Sequence, residues 1–217
     1  MDARRSVSTA EIFELIRAGD AEGVRALLAR EPDAAAARDE EGVSALMHAA
    51  YRGDAEITDA IRSASPPRDI FEAATFGVVD ALDGDPNVYS ADGFAPLHFA
   101  AMGGHVDAAR ALLEAGADPN AMSQHRFVKV RPLHTACALE VSRENPEMVR
   151  VLVEHGADVN GTNAEGGATP LHNAPQGGSV ALVRALLELG ADPNVQMSDG
   201  RTPSDVAKSD EIRELLG

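Results

Sequence analysis

The chain has 217 residues, 44% apolar and 25% charged, the balance of a folded globular chain rather than a disordered one. Nineteen Lys and Arg face 35 Asp and Glu; the resulting charge of -16 would repel a phosphate backbone, which disfavours nucleic acid as a partner. No apolar run approaches the ~20 residues of a membrane span, and the opening stretch MDARRSVSTAEIF lacks the apolar middle of a signal peptide. Expected are a cytoplasmic location and no membrane partner. The single cysteine, Cys137, suits a reducing compartment and excludes an internal disulfide.

Residues 1–8 read as a loose or disordered tail, and 9–217 as a single domain. Ala10 to Arg30 reads as an opening helix pair. Further units begin near Gly42, Arg68, Gly93, Val130 and Gly167, and a closing one near Gly200, making about seven. Their starts share a string: Ser44-Ala45-Leu46-Met47, Ala95-Pro96-Leu97-His98, Arg131-Pro132-Leu133-His134, Thr169-Pro170-Leu171-His172 and Thr202-Pro203. Ser or Thr caps a helix, Pro at its first position has no amide hydrogen to leave unbonded, and Leu opens an apolar face. Gly53, Gly104 and Gly178 can end that helix. A second helix follows with apolar period 3.6, as in Val106, Ala109, Leu112 and Leu113. It ends in Gly-Ala-Asp-Pro-Asn at 116–120 and 190–194, Gly-Ala-Asp-Val-Asn at 156–160, and a shorter Gly-Asp-Pro-Asn at 84–87. From Asp85 to Asp118 is 33 residues, from Asp118 to Asp158 is 40, and from Asp158 to Asp192 is 34.

These strings resemble the ankyrin repeat, over nearly the whole chain. The resemblance implies an all-α ankyrin-repeat solenoid of helix-turn-helix units with short hairpin loops. It also implies that His98, His134 and His172 bond to neighbouring backbone and hydroxyl groups. One metal cannot bridge histidines of successive units, because stacked helices lie roughly 10 Å apart. No cofactor motif is present, and His134 with Cys137 reads as a repeat histidine beside a small buried residue rather than a catalytic pair.

Departures from the pattern are informative. Gly53 to Gly77 spans 24 residues where about 33 are expected, so a projecting loop is missing near 63–68, at Ser65-Pro66-Pro67. Asn120 to Arg131 is longer than its counterpart and reads Gln124-His125-Arg126-Phe127-Val128-Lys129-Val130, a basic and aromatic arm in an acidic chain. Ala138 to Pro146 is also long. Pro175 predicts a shortened helix in the sixth unit and easier opening of the carboxyl-terminal third. Ala95 and Arg131 forgo a helix cap, while Glu11, Glu14 and Glu72 read as solvated charges.

By position in the repeat, the resemblance implies an inner face carrying Tyr51, Arg52, Thr75, Phe76, Asp92, Phe94, Met102, Arg126, Phe127, Lys129, Leu139, Glu140, Glu165 and Arg201, with Tyr89 in the adjoining loop. Five of the chain's eight aromatic rings fall there, as expected where rings and Arg anchor a partner. The expectation is a non-enzymatic, monomeric adaptor or inhibitor-like module holding a basic protein partner on its concave face and hairpin loops. The competing reading is a small-ligand or catalytic pocket at the notch near Tyr51, Arg52, Thr75 and Phe76.

Overall fold

The computed structural model describes residues 3–138, 144–164 and 166–217, the side chains of 3–7 excepted. Among the described residues the regular structure is helical, with one isolated bridge between Arg38 and Ser44. The chain forms two compact units, Met1–Glu72 and Ala73–Gly217.

The first unit holds α1 (Ala3–Ala18), α2 (Ala21–Arg30), α3 (Ala45–Arg52) and α4 (Ala55–Ala64). Helix α1 begins within the segment read as a loose tail. Asp20, Ser44 and Asp54 cap the next three helices, accepting the backbone N–H groups of Gly23, Met47 and Ile57. Ile12 and Ile16, Val24 and Leu27, and Ile57 and Ile61 recur at helical spacing and are buried. Only Ser65 to Asp69 separate α4 from α5 (Ile70–Phe76), too few for a hairpin. This turn corrects the reading of Glu72, which is buried: its carboxylate accepts the Arg68 N–H at 2.7 Å and lies 3.6 Å from Arg38. The tight connection leaves Arg68 beside the first turn of α5, where a carboxylate serves as acceptor and counter-charge.

The second unit stacks α6 (Pro96–Gly103), α8 (Pro132–Cys137) and α10 (Pro170–Gly177) in one layer. Helices α7 (Val106–Glu114), α9 (Pro146–Glu154) and α11 (Val180–Glu188) form the other, with α12 (Asp210–Leu216) against α11. Ala100, Ala136, Cys137 and Ala174 are buried in the first layer, small side chains that let neighbouring helices approach closely. Each unit is tied to the next outside the core. The Asn120 amide donates to Gly156 O at 2.8 Å, and its oxygen accepts the Asp158 N–H at 2.8 Å. Asn87 makes the same pair with Gly116 and Asp118, and Asn160 with Gly190 and Asp192.

Several local expectations are corrected. Helix α10 keeps the eight residues of α6 with Pro175 inside it. In so short a helix Pro175 removes a single ladder bond, to Leu171 O. The end is closed by the Gly178 and Ser179 N–H groups on Pro175 O and Ala174 O, so the basis for easier opening of the carboxyl-terminal third is gone. The shortened helix is α8, six residues long, before the Ala138 excursion. The third unit has only a 3-10 turn, Val79–Ala81, in place of its second helix. Thr202-Pro203 begins a single turn rather than a helix, although the Thr202 N–H and hydroxyl donate to Asp205 as at a helix start.

Candidate functional site

The long excursion between Asn120 and Arg131 folds into an arm. At its base Ser123 N–H donates to Val130 O at 2.8 Å, and Val130 N–H donates to Ser123 Oγ at 3.0 Å. Gln124 N–H donates to Gly93 O at 2.7 Å, and Ala164 N–H donates to Lys129 O at 3.2 Å, so loops on both sides hold the arm. Gly93 has φ +83°, and a Cβ there would stand 2.5 Å from the His125 backbone nitrogen. Only glycine permits this approach.

The tip is organised by His125. Its Nδ1 accepts the N–H groups of Phe127 and Val128 at 3.2 and 3.1 Å, so the hydrogen of the neutral ring sits on Nε2. The ring stacks on Phe94, centroids 5.3 Å apart and planes at 23°. Phe94 in turn meets His98 and Phe99 edge-on at 5.6 and 6.1 Å. Rings therefore run in contact from buried Phe99 through Phe94 and His125 to Phe127, whose centroid lies 6.2 Å from His125. Phe127 is 64% exposed and Val128 40%. The Arg126 guanidinium lies over the Phe127 ring, 4.4 Å from its centroid.

The structure thus brings Phe94 and Phe127 together around His125, with Arg126 on the Phe127 ring and Lys129 at the base of the arm; His125 is not among the residues expected to make contact. Its signal was spacing: an acceptor side chain two and three residues before the amides it takes, as Asn or Asp does in a turn. Tyr89 is half-buried and its hydroxyl donates to Met122 O at 3.2 Å, tying one loop to the next. Asp92 accepts a short hydrogen bond from the Ser90 hydroxyl. Met102 is half-buried on α6. Arg201 is exposed, with its guanidinium 2.8 Å from Asp199. Tyr51, 44% exposed, and Arg52 lie at the end of α3 in the first unit. Phe76 is half-buried and belongs to the second unit. Thr75 is buried, which corrects its placement on a binding face. Leu139, Glu140 and Glu165 lie outside the described residues.

Each repeat histidine joins its own unit to the next. Nε2 of His98, His134 and His172 donates to the carbonyls of Val130, Ala168 and Arg201 at 3.0, 2.9 and 3.2 Å. Nδ1 of His98 accepts the Ala95 N–H, and Nδ1 of His172 accepts the Thr169 N–H and hydroxyl. The His134 Nδ1 is buried without a partner among the described residues. Burial lowers the pKa of all three, that of His134 to about 4. Burial pushes the Cys137 thiol up to about 12, leaving it a thiol at neutral pH and a poor nucleophile.

No helix of the described residues is long and apolar enough to cross a membrane. The family model described as ankyrin repeats (3 copies) matches residues 12–123, 70–163, 124–197 and 140–216. Mouse B-cell lymphoma 3 protein homolog is 32% identical over 71% of this chain and 32% of its own length. The nematode Caenorhabditis elegans ankyrin repeat and KH domain-containing protein mask-1 is 30% identical over 70% of this chain and 5% of its own. Human BCL-6 corepressor-like protein 1 is 36% identical over 39% of this chain and 4% of its own. The chain spans about a third or less of the length of these relatives. The period of the strings, the paired helices and the Asn and His ties between units agree with those matches, and the chain belongs to the ankyrin repeat family.

Proposed function

We propose that the chain is a non-enzymatic, monomeric interaction module of the cytoplasm, an adaptor or inhibitor-like protein that grips a protein partner with the 124–131 arm and the face beside it. The exposed Phe127 on a loop already shaped by His125 and Gly93 carries this reading. A large ring held in one position loses little freedom on binding and can fill a pocket in the partner, the usual character of a binding hot spot. Phe94, Met102, Asp92 and Arg201 would extend the contact, with Tyr89 and Phe76, within the second unit; Tyr51 and Arg52 would offer a contact of their own in the first. Repeats of this family serve widely as protein-interaction modules, and the corepressor-like relative is consistent with an adaptor. The net charge of -16 would guide a basic partner at distances where salt leaves the field unscreened.

Affinity capture from host lysate tests the reading. The tagged chain is expected to retain a protein that Phe127→Ala loses while melting within a few degrees of the parent, since an exposed ring contributes little to folding. Equal retention by both would refute the role of the arm.

A further inference from the structure

We propose that the arm receives a segment of its partner in which an apolar side chain is flanked by carboxylates, the opposite local sign from the one the whole-chain charge selects. The proposal rests on the protein-binding reading above and names the chemistry of the contact.

Phe127 and Val128 form the exposed apolar tip. They are bracketed in sequence by Arg126 and Lys129. The remainder of the chain carries a large carboxylate excess, and Arg25, Arg30, Arg38, Arg62, Arg150 and Arg213 meet Asp or Glu within 4 Å. Arg126 and Lys129, like Arg17, Arg52, Arg184 and Lys208, form no such pair among the described residues, and they alone bracket an exposed ring on both sides. Arg126 instead lays its guanidinium on the Phe127 ring. Stacking occupies the face of the guanidinium and leaves its N–H edge for a planar, two-oxygen acceptor. A ring with a stacked guanidinium beside it and an ammonium two residues further on complements an apolar residue between Asp or Glu. A lysine-rich segment would set like charges against both cations. The two electrostatic influences differ in range: the acidic field orients a partner before contact, while Arg126 and Lys129 act within a few ångströms of the docked segment.

A displayed library of random dodecapeptides, panned on the full 217-residue chain, tests this. Enriched peptides are expected to place an aromatic or branched apolar residue within three positions of Asp or Glu. A synthetic peptide of the leading sequence should bind Phe127→Ala about 30-fold more weakly, and Arg126→Glu/Lys129→Glu at least ~10-fold more weakly. Circular-dichroism melts of these variants should stay within a few degrees of the parent, because Arg126 and Phe127 are exposed and the Lys129 side chain makes no hydrogen bond or ion pair among the described residues. Enrichment of basic peptides, or of peptides that bind the variants as tightly as the parent, overturns the proposal and leaves the protein-binding reading standing. No enrichment on the parent chain overturns the proposal as well, and if lysate capture also fails the broader reading falls with it.

Discussion

Protonation of His134 should carry the largest single pH dependence of stability that the fold prescribes. Its Nε2 donates to Ala168 O, while its Nδ1 is buried and finds no hydrogen-bond partner among the described residues. Burial, with a smaller repulsion from Arg131, lowers its pKa from 6.5 to about 4. The unfolded chain therefore binds this proton more readily than the folded one. Stability is fully present above about pH 7 and falls as the pH drops from 6.5 towards 4. At about 1.4 kcal/mol per pH unit the complete loss is roughly 3 kcal/mol, with about 2 kcal/mol gone by pH 5. The raw stability curve also contains His98, His172 and relief of repulsion among the acidic residues, so the informative quantity is a difference. Urea unfolding of the parent and of His134→Gln is measured at pH 7.5, 6.5, 5.5 and 5.0. Glutamine can still donate towards Ala168 O but cannot take up a proton. The stability advantage of the parent should shrink by about 2 kcal/mol between pH 7.5 and 5. An advantage constant to within about 0.5 kcal/mol would refute the assignment of this proton to a buried, unpartnered nitrogen.

Three further outcomes follow from named contacts. Asn120→Ala removes the bonds to Gly156 and Asp158 and a longer one from Arg131, and should cost about 1–2 kcal/mol in urea unfolding; Asn194→Ala, which loses a bond to Asp192 within its own turn, should cost well under 1 kcal/mol. Gly93→Ala forces a Cβ towards the His125 backbone from a left-handed conformation, so it should displace the arm and lower stability by about 1–3 kcal/mol. Loss of the amide cross-peaks' native positions for residues 123–130 in an NMR spectrum would show the displacement, and an unchanged spectrum would exclude it. Cys137 should resist iodoacetamide at pH 7.5 in the folded chain and react within minutes in urea; rapid native labelling would contradict its burial.

The helix pairs were legible because each is written in local chemistry: a capping or proline start, apolar residues at helical spacing, and a glycine stop. The absence of a hairpin after α4 was legible for the same reason, since Ser65 to Asp69 is simply too little chain. Pro175 misled because a rule for long helices was applied to an eight-residue one, where one missing bond ends nothing. Glu72 misled because its surroundings are set by Arg38, 34 residues earlier, and by a turn whose direction no local pattern specifies. At the arm, the exposed ring and its basic neighbours could be read from an insertion in a regular period. For His125 only the local turn had a signal, in its spacing to the amides it accepts; its stacking could not be read, because that depends on Phe94 arriving from the preceding loop and on Gly93 allowing the two backbones to meet.

The asparagine ties have a bearing on how such a chain can change length. Asn120 reaches Gly156 and Asp158 across a stretch seven residues longer than that between Asn87 and Asp118, yet its amide and carbonyl sit at 2.8 Å from both. Three of the surplus residues lie in the arm and four between Ala138 and Pro146, and the stitch is stretched by neither. Each asparagine bonds to the corresponding turn of its immediate successor, so duplicating one whole period in the gene would copy a donor and its acceptor together and orphan neither. New contact loops can thus be grafted between stitches, and new units threaded between neighbours, with the spine left unaltered.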